Sequence, residues 1–265
     1  MKTIILCGGQ GTRMKEETEF KPKPLVLVGG KPILWHIMKI YSHYGFNDFI
    51  LALGYKGNMI KDYFLNHKAF SHNFTLNTKT GEIFFHNDDN HDDFKITFVD
   101  TGLESLTGER IRRLKPYING DDFMVTYGDG VGDININKLI NFHKAQNTFG
   151  TITGVKPISR LGLLNFNHKT KKVSEFFQHK VTDFNETYDK NSHRINGGFM
   201  IFKKSVLDLI SKNSMIETLF SILAAKNKLS IYIHPGRWKC MDTYKELEEM
   251  NESWEKNPFW KVWEA

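Results

Sequence analysis

Three glycines within four positions directly follow a short apolar segment near the start of the chain, and this junction limits what the chain can fold into. Residues 3–7 are apolar and begin with β-branched side chains, which predicts a buried strand that ends at Gly8. The loop Gly8-Gly9-Gln10-Gly11-Thr12-Arg13 lets the backbone approach a ligand closely, and its amides can point toward phosphate oxygens. Arg13 adds a planar, permanently charged donor for phosphate.

This loop does not fit two familiar nucleotide-binding patterns. It lacks the Gly-Lys-Ser/Thr ending of a P-loop, and Met14 stands where a dinucleotide fingerprint has its third glycine. The sequence therefore favours neither an ordinary P-loop ATPase nor an oxidoreductase of the dinucleotide-binding type. Taken alone, such a glycine-rich turn is structural about as often as it is functional.

Strand and helix patterns alternate along the first part of the chain. Apolar runs at 49–53, 95–100, 122–127 and 150–155 predict strands, and helical spacing at 33–44, 59–65 and 136–145 predicts helices between them. A polar stretch at 66–94 predicts a hairpin and a loop. Strands that alternate with helices favour an α/β fold with a mostly parallel sheet and right-handed crossovers.

The second half of the chain changes to short strands, predicted at 163–167, 173–178, 199–202 and 229–234, with helices at 205–210, 216–225 and 243–254. The sequence shows neither an internal repeat nor a low-complexity linker. Residues 1–265 therefore predict a single domain that includes a smaller, partly antiparallel subregion.

Charge and cysteine content disfavour several classes of protein. The net charge of +6 comes from 36 basic and 30 acidic side chains, and the basic ones are scattered, so nucleic-acid binding is disfavoured. Two cysteines, Cys7 and Cys240, cannot form a disulfide framework or a four-ligand zinc site, which favours a cytoplasmic protein. No apolar run approaches the roughly 20 residues that span a bilayer, so no membrane partner is expected. The apolar start of the chain is too short for a secretory signal.

Two lysine–proline segments follow the glycine-rich loop. Lys21-Pro22-Lys23-Pro24 and Gly29-Gly30-Lys31-Pro32 hold their lysines on a backbone that proline stiffens. A lysine beside a phosphate loop can neutralise developing charge, whereas such a segment alone is typical of a solvated basic turn.

Further short motifs follow in a fixed order along the chain. They are Lys31-Pro32-Ile33-Leu34-Trp35-His36-Ile37-Met38, Gly54-Tyr55-Lys56-Gly57, Asp100-Thr101-Gly102, Thr107-Gly108-Glu109-Arg110, Thr126-Tyr127-Gly128-Asp129-Gly130, Ile195-Asn196-Gly197-Gly198-Phe199 and Met241-Asp242-Thr243. The combination resembles the sugar-1-phosphate nucleotidyltransferases, and more narrowly their glucose-1-phosphate cytidylyltransferase branch. The resemblance covers nearly the whole chain. It implies a Rossmann-like central sheet flanked by helices, CTP and a small phosphorylated acceptor as substrates, Mg²⁺ as cofactor, release of pyrophosphate and a homo-oligomer.

Residue by residue, the resemblance implies three groups of site residues. The nucleotide-binding group is Leu6, Cys7, Gly8, Gly9, Gln10, Gly11, Thr12, Arg13, Lys23, Ser105, Arg110 and Gly128. The catalytic residues are Arg13, Lys23 and Asp129, and the metal ligands are Asp129 and Asp242. The acceptor-binding group is Arg160, His179, Lys180, Asn196 and Trp238. This assigns nucleotide binding to about residues 1–150 and acceptor binding to about residues 151–265.

The chemistry of these residue types agrees with the metal assignment. Mg²⁺ commonly takes one or two carboxylates together with substrate phosphates. Asp129 follows the predicted strand 122–127, so it lies at a carboxyl end, where open α/β sheets bind ligands. Asp242 precedes the last predicted helix, so a role as its N-cap is the alternative. Because an acceptor phosphate is ionised at neutral pH, no histidine is expected to act as a general base.

The acceptor half departs from the family pattern. His179 stands where that pattern has a glutamate that accepts hydrogen bonds from sugar hydroxyl groups, and Val181 stands where it has a proline. The family pattern is also shortened at residues 215–218. A phosphorylated acceptor other than glucose 1-phosphate is therefore an alternative, and so is a non-catalytic nucleotide sensor on the same fold. Near the C-terminus, the aromatic side chains of Phe259, Trp260 and Trp263 are expected to pack onto the body of the protein or onto a neighbouring subunit.

Overall fold

A computed structural model describes residues 1–86, 92–156, 163–166, 173–177 and 194–264. Its strands are β1 Thr3–Cys7, β2 Leu27–Val28, β3 Lys31–Pro32, β4 Asp48–Leu53, β5 Phe74–Leu76, β6 Ile83–Phe85, β7 Lys95–Asp100, β8 Asp122–Tyr127, β9 Gly130–Gly132, β10 Gly150–Val155, β11 Leu163–Phe166, β12 Val173–Phe177, β13 Ile195–Lys203, β14 Leu229–Ile233 and β15 Trp238–Cys240. Its helices are α1 Lys15–Thr18, α2 Ile33–His43, α3 Gly57–Ser71, α4 Thr107–Arg113, α5 Ile136–Gln146, α6 Ile216–Ala225 and α7 Tyr244–Lys256. In the described part of the chain, no helix is long and apolar enough to cross a membrane.

A seven-stranded sheet with the order β14-β10-β13-β8-β1-β4-β7 forms the centre of the molecule. The strand β1 pairs in parallel with β4 and β8, and β4 pairs in parallel with β7. The strand β13 runs antiparallel to both of its neighbours, β8 and β10. The predicted α/β fold with a mostly parallel central sheet is therefore confirmed, and small antiparallel pairs such as β11–β12 accompany it.

The two faces of this sheet carry separate apolar cores, as expected for a sheet with helices on both sides. Because side chains alternate along a strand, Ile5 and Cys7 of β1 enter one core and Ile4 and Leu6 enter the other. The helix α2 covers the first core with Ile33, Ile37, Met38 and Tyr41, which recur at helical spacing. The helices α4 and α6 cover the second core.

Several element boundaries differ from their predictions. The predicted helix 59–65 extends to Gly57–Ser71, because its polar last turns carry no apolar periodicity for the sequence to show. The predicted strand 199–202 begins earlier, at Ile195, where Asn196, Gly197 and Gly198 are residues that seldom form strands. The predicted helix 205–210 is a 3₁₀-helix over Lys204–Leu209.

The C-terminal aromatic residues pack onto the body of the protein around the buried His36. Trp260 is fully buried and donates its indole N–H to His36 Nδ1 at 3.3 Å. The other ring nitrogen, Nε2, lies 2.8 Å from the carbonyl oxygen of Val28, and burial lowers the pKa of His36 to about 4. A neutral imidazole fits both contacts, with Nε2–H as donor and Nδ1 as acceptor. This cluster holds the last turns of α7 through Trp254 and the segment after the helix through Trp260.

The turn between β2 and β3 is the second attachment of α7. Gly29 donates its backbone N–H to Asn251 Oδ1 at 2.9 Å. A Cβ on Gly29 would come within 2.1 Å of the Trp254 ring, which itself packs edge-on against His36. Gly30 shares the left-handed backbone, with φ of 77° against 57° for Gly29, but a Cβ there would meet no atom within 4 Å.

Gly29→Ala should therefore destabilise the protein more than Gly30→Ala. Both changes place alanine in the left-handed region, at a cost of about 1–2 kcal/mol, but only the first also forces Trp254 out of its packed position, for a further cost of about 1–3 kcal/mol. Urea unfolding of the two variants and the parent chain measures the difference. Equal losses of unfolding free energy in the two variants would contradict the packing argument.

Candidate active site

A cavity of about 390 Å³ opens at the carboxyl ends of β1 and β8. The predicted site residues that line it are Leu6, Cys7, Gly8, Gly9, Gly11, Thr12, Arg13, Lys23, Ser105, Arg110, Gly128 and Asp129. Gln10, Asp242, Asn196 and Trp238 do not line it, although Asp242 and Asn196 contact residues that do. Arg160, His179 and Lys180 lie outside the described residues. The structure thus brings together nearly all of the predicted nucleotide-binding residues.

The guanidinium of Arg110 forms the floor of the glycine-rich loop. Only 4% of Arg110 is exposed, and its two terminal nitrogens donate to the carbonyl oxygens of Gly8, Leu53, Gly102 and Leu103 and to the Thr101 hydroxyl. These acceptors follow or end the strands β1, β4 and β7. A Cβ on Gly8 would lie 2.2 Å from Arg110, so the loop needs glycine at the position where it crosses the guanidinium.

Arg110 therefore ties three strand ends together beneath the cavity. Its terminal N–H groups are engaged with the protein, so a positioning role accounts for its burial. The predicted contact of Arg110 with the nucleotide stays a prediction. Ser105, also predicted from the resemblance, lies on the cavity wall with its hydroxyl donated to the Thr101 carbonyl.

A cluster of four charged side chains lies at the mouth of the cavity. Lys23 Nζ lies 2.6 Å from Asp129 Oδ2 and 2.8 Å from Asp242 Oδ1, and Arg13 lies 2.8 Å from Asp242 Oδ2. Only 12% of the Lys23 side chain is exposed. Burial alone would lower the pKa of Lys23, but the two carboxylates outweigh it and raise that pKa above its ordinary value. The ammonium is therefore charged at neutral pH, and the solvated-turn interpretation is wrong for Lys23.

Backbone pairing brings the two carboxylates to this cluster. Asp129 comes two residues after the end of β8, and Asp242 comes two residues after the end of β15. The strands β9 and β15 pair antiparallel with Gly130 opposite Cys240, and the N–H of Met241 donates to the Asp129 carbonyl at 2.9 Å. Asp129 and Asp242, far apart in the sequence, therefore meet where the start of β9 pairs with the end of β15.

The alternative role of Asp242 as a helix N-cap is wrong. Thr243 is the N-cap of α7, because its hydroxyl accepts from the N–H of Glu246 at 3.3 Å. Glu246 Oε2 in turn accepts the backbone N–H groups of Thr243 and Asp242, which completes a capping box. The Asp242 carboxylate is left to pair with Lys23 and Arg13.

The donor set of this cluster fits a divalent cation. Its two carboxylates already converge on a positive charge, the Lys23 ammonium. Within the residues that the structure describes, no group of three or more His, Cys, Asp or Glu could hold a metal ion. Two carboxylates with phosphate and water oxygens are the usual way in which proteins hold Mg²⁺ at a nucleotide.

Several lining residues have no counterpart among the predicted site residues: Pro24, Leu106, Thr107, Tyr127 and Met215. Tyr127 is the last residue of β8, and its place one position before the predicted Gly128 is the signal that could have found it. Met215 comes from the loop before α6, which the N–H of Glu109 holds through the Ser214 carbonyl at 3.1 Å. Only tertiary contacts place Met215 at the cavity, so no local pattern marks it.

Comparisons with known proteins agree with this geometry. The family model described as nucleotidyl transferase matches residues 2–257. The chain belongs to the nucleotidyl transferase family. It is 43% identical to a probable glucose-1-phosphate cytidylyltransferase of Bacillus subtilis, over 99% of this chain and 100% of that protein. It is 40% identical to the glucose-1-phosphate cytidylyltransferase of Salmonella typhimurium, over the full length of both.

A solved structure supports the same fold. A putative glucose-1-phosphate thymidylyltransferase from Bacillus anthracis, in complex with a sucrose, superposes with a TM-score of 0.67 at 16% identity, and the match covers 95% of this chain and 94% of that one. The family resemblance that the motifs predict is confirmed, and with it an enzyme of the nucleotidyltransferase type.

Replacing Arg110 tests how much this nucleotidyl transferase fold depends on the guanidinium. Arg110→Lys keeps the charge but cannot reach five acceptors in one plane, and each buried carbonyl left unpaired costs about 1–3 kcal/mol. Arg112→Lys is the matched control on the same helix, because the Arg112 side chain is partly exposed and shares its partner Glu109 with Arg113. We expect Arg110→Lys to lose at least about 2 kcal/mol of unfolding free energy in urea and Arg112→Lys about 1 kcal/mol or less. Similar losses would show that Arg110 is not a structural tie.

Removal of Lys23 tests the carboxylate pair directly. Lys23→Met removes the cation that Asp129 and Asp242 now share, so Mn²⁺ should bind at least about tenfold more tightly without nucleotide, since two unit charges about 4 Å apart interact by about 4 kcal/mol at an effective dielectric constant of about 20. Lys21→Met is the control, because Lys21 loses the same charge two residues away but pairs with Glu17. Electron paramagnetic resonance of free Mn²⁺ reports the dissociation constants. Unchanged Mn²⁺ affinity in Lys23→Met would contradict a cation site at these carboxylates.

Proposed function

We propose that this chain transfers a cytidylyl group from CTP to α-D-glucose 1-phosphate in a Mg²⁺-dependent reaction, giving CDP-glucose and pyrophosphate. The observation that carries the proposal is the meeting of Lys23, Asp129 and Asp242 at the mouth of the glycine-rich cavity. Full-length identities of 43% and 40% to proteins named glucose-1-phosphate cytidylyltransferase support the choice of substrates.

The reaction is an in-line displacement at the α-phosphorus of CTP. A phosphate oxygen of the acceptor forms a new P–O bond there, and the bond from that phosphorus to the oxygen leading to the β-phosphate breaks. Pyrophosphate leaves on the opposite side with the electron pair. Transfers of this kind depend mainly on positioning and on neutralising charge. Among the described lining residues none is a histidine, which suits an acceptor that arrives ionised.

Each charged residue of the cluster has a role in this proposal. Arg13 and the amides of the glycine-rich loop bind the triphosphate, and Lys23 turns from the carboxylates toward the phosphate oxygens near the reacting phosphorus. Asp129 and Asp242 hold Mg²⁺, which when bound neutralises charge on the triphosphate. We further propose a nucleotide-binding half at about residues 1–150 and an acceptor-binding half at about residues 151–265, within one cytoplasmic, homo-oligomeric enzyme. Of the described cavity-lining residues, all but Met215 belong to the first half, which supports that division.

A second candidate is the same transfer to another phosphorylated acceptor. It is favoured by His179 and Val181, which replace the expected glutamate and proline of the acceptor half. Another sugar phosphate or an alditol phosphate has the same reacting oxygen and differs only in the groups that the acceptor half must recognise. An acceptor screen with CTP separates the two candidates, because turnover restricted to glucose 1-phosphate would exclude the second.

Pyrophosphate release from CTP, Mg²⁺ and glucose 1-phosphate tests the proposed function. We expect release by the parent chain and a loss of roughly 100-fold or more in Asp129→Asn, since one electrostatic group at a reacting phosphate contributes on this scale. Parallel reactions with UTP and dTTP measure the preference for cytosine. CTP binding without pyrophosphate release across a broad set of phosphorylated acceptors would contradict an enzyme and support a nucleotide sensor.

A further inference from the structure

Tyr127 lines the cavity, and neither the resemblance nor the reaction above assigns a role to its hydroxyl group. It ends β8, lines the cavity and comes two residues before Asp129. Its hydroxyl donates to Glu217 Oε1 at 3.1 Å and accepts from Asn196 Nδ2 at 3.3 Å.

Asn196 is fixed so that its amide nitrogen faces the tyrosine. Its Oδ1 accepts the backbone N–H of Gly198 at 2.9 Å, which leaves Nδ2 for the Tyr127 hydroxyl. Its neighbour Gly197 accepts the indole N–H of Trp238 at 2.7 Å. Two residues that the resemblance assigns to the acceptor, Asn196 and Trp238, are thus joined to Tyr127 through one short segment of β13.

Glu217 supplies the negative charge of this group. It lies in the first turn of α6, and its side chain is exposed to solvent. One carboxylate oxygen accepts from Tyr127, and the described residues give no hydrogen-bond partner to the other oxygen, Oε2. A carboxylate with an oxygen to spare is a strong acceptor for hydroxyl groups.

We propose that Glu217 and Tyr127, positioned by Asn196, select the acceptor by hydrogen bonding to its hydroxyl groups. The inference rests on the proposed function and adds to it the residues that recognise the hydroxyl groups of the acceptor. A sugar or alditol hydroxyl both donates and accepts, and this cluster offers both partners: the carboxylate accepts and the phenol or amide donates. Glu217 then supplies a carboxylate in a chain that has His179 where the family pattern has glutamate.

The position of Tyr127 in the chain ties the group formed by Tyr127, Asn196 and Glu217 to the reacting centre. Tyr127 ends β8 and Asp129 lies two residues later, in the turn that leads into β9, so one short segment carries both side chains. A hydroxyl held by the cluster therefore fixes the acceptor relative to Asp129. Misplaced reacting groups lose much of the advantage of proximity, so selection by hydroxyl contact acts on turnover as well as on binding.

Glu217→Gln tests the inference with little change of shape. We expect the KM for glucose 1-phosphate to rise about tenfold or more, as for loss of a hydrogen bond to a charged group, while the dissociation constant of CTP changes less than about twofold. Tyr127→Phe should raise the same KM by a smaller factor, since the ring remains. Glu248→Gln is the matched control, because Glu248 is an exposed helical glutamate with no hydrogen bond to Tyr127.

Deoxy analogues of glucose 1-phosphate give a readout that a purely structural role would not move. The parent chain should discriminate against the analogue that lacks the recognised hydroxyl, and Glu217→Gln should lose that discrimination while keeping it against the other analogues. Unchanged discrimination in Glu217→Gln, or equal losses for CTP and acceptor, would overturn the inference.

Pyrophosphate release by the parent chain, rather than by the variants, shows whether the proposed function itself fails. If the parent releases pyrophosphate with another sugar or alditol phosphate, the same variants are measured on that acceptor, and a raised KM in Glu217→Gln still supports the inference. If the parent uses only an acceptor without hydroxyl groups, or no acceptor, the inference is overturned with no need of the variants.

Discussion

The pairing of Lys23 with Asp129 and Asp242 is the interaction on which the rest of the site depends. A largely buried ammonium needs opposite charge close by, and the Lys23 ammonium has two carboxylates at 2.6 and 2.8 Å, from residues 106 and 219 positions away in the sequence. The carboxylates face each other because β9 pairs with β15. The Trp260–His36 contact and the Gly29–Asn251 hydrogen bond then hold α7, which begins directly after Asp242 and Thr243. These contacts join the C-terminal helix α7 to the segments around β2, β3 and α2, near the start of the chain.

A second constraint, the buried guanidinium of Arg110, shapes the floor beneath this cluster. It satisfies carbonyl groups that parallel strands leave open at their carboxyl ends, which explains how Gly8 and Gly54 can approach each other so closely. The same contacts orient the glycine-rich loop before any ligand arrives. A preorganised loop needs little rearrangement to bind phosphate, which is what a transfer reaction driven by positioning requires.

Local sequence patterns predicted the parts of the fold that local forces determine. The apolar runs of β1, β4, β7 and β8 and the helical spacing of α2 are strong signals, and the order of motifs led to the cavity residues from Leu6 to Asp129. The early start of β13 at Ile195 was missed, because its Asn-Gly-Gly segment is extended by pairing with β10 rather than by its own propensity. The sequence left Asp242 open between a metal ligand and the N-cap of the last helix, and only the long-range contact with Lys23 and the Thr243–Glu246 capping box decide against the cap. Tyr127 and Glu217 are 90 residues apart, and no local pattern reports such a contact.

A double-mutant cycle on the two carboxylates tests most directly whether Asp129 and Asp242 work as one unit on one cation. CTP binding is titrated with and without Mg²⁺ for Asp129→Asn, Asp242→Asn and the double variant. If both carboxylates hold the same cation, either single change removes most of the Mg²⁺-dependent part of the binding free energy, and the double variant loses little more. Additive losses, with each single variant keeping about half of the Mg²⁺ effect, would mean that the carboxylates act independently and would contradict the account.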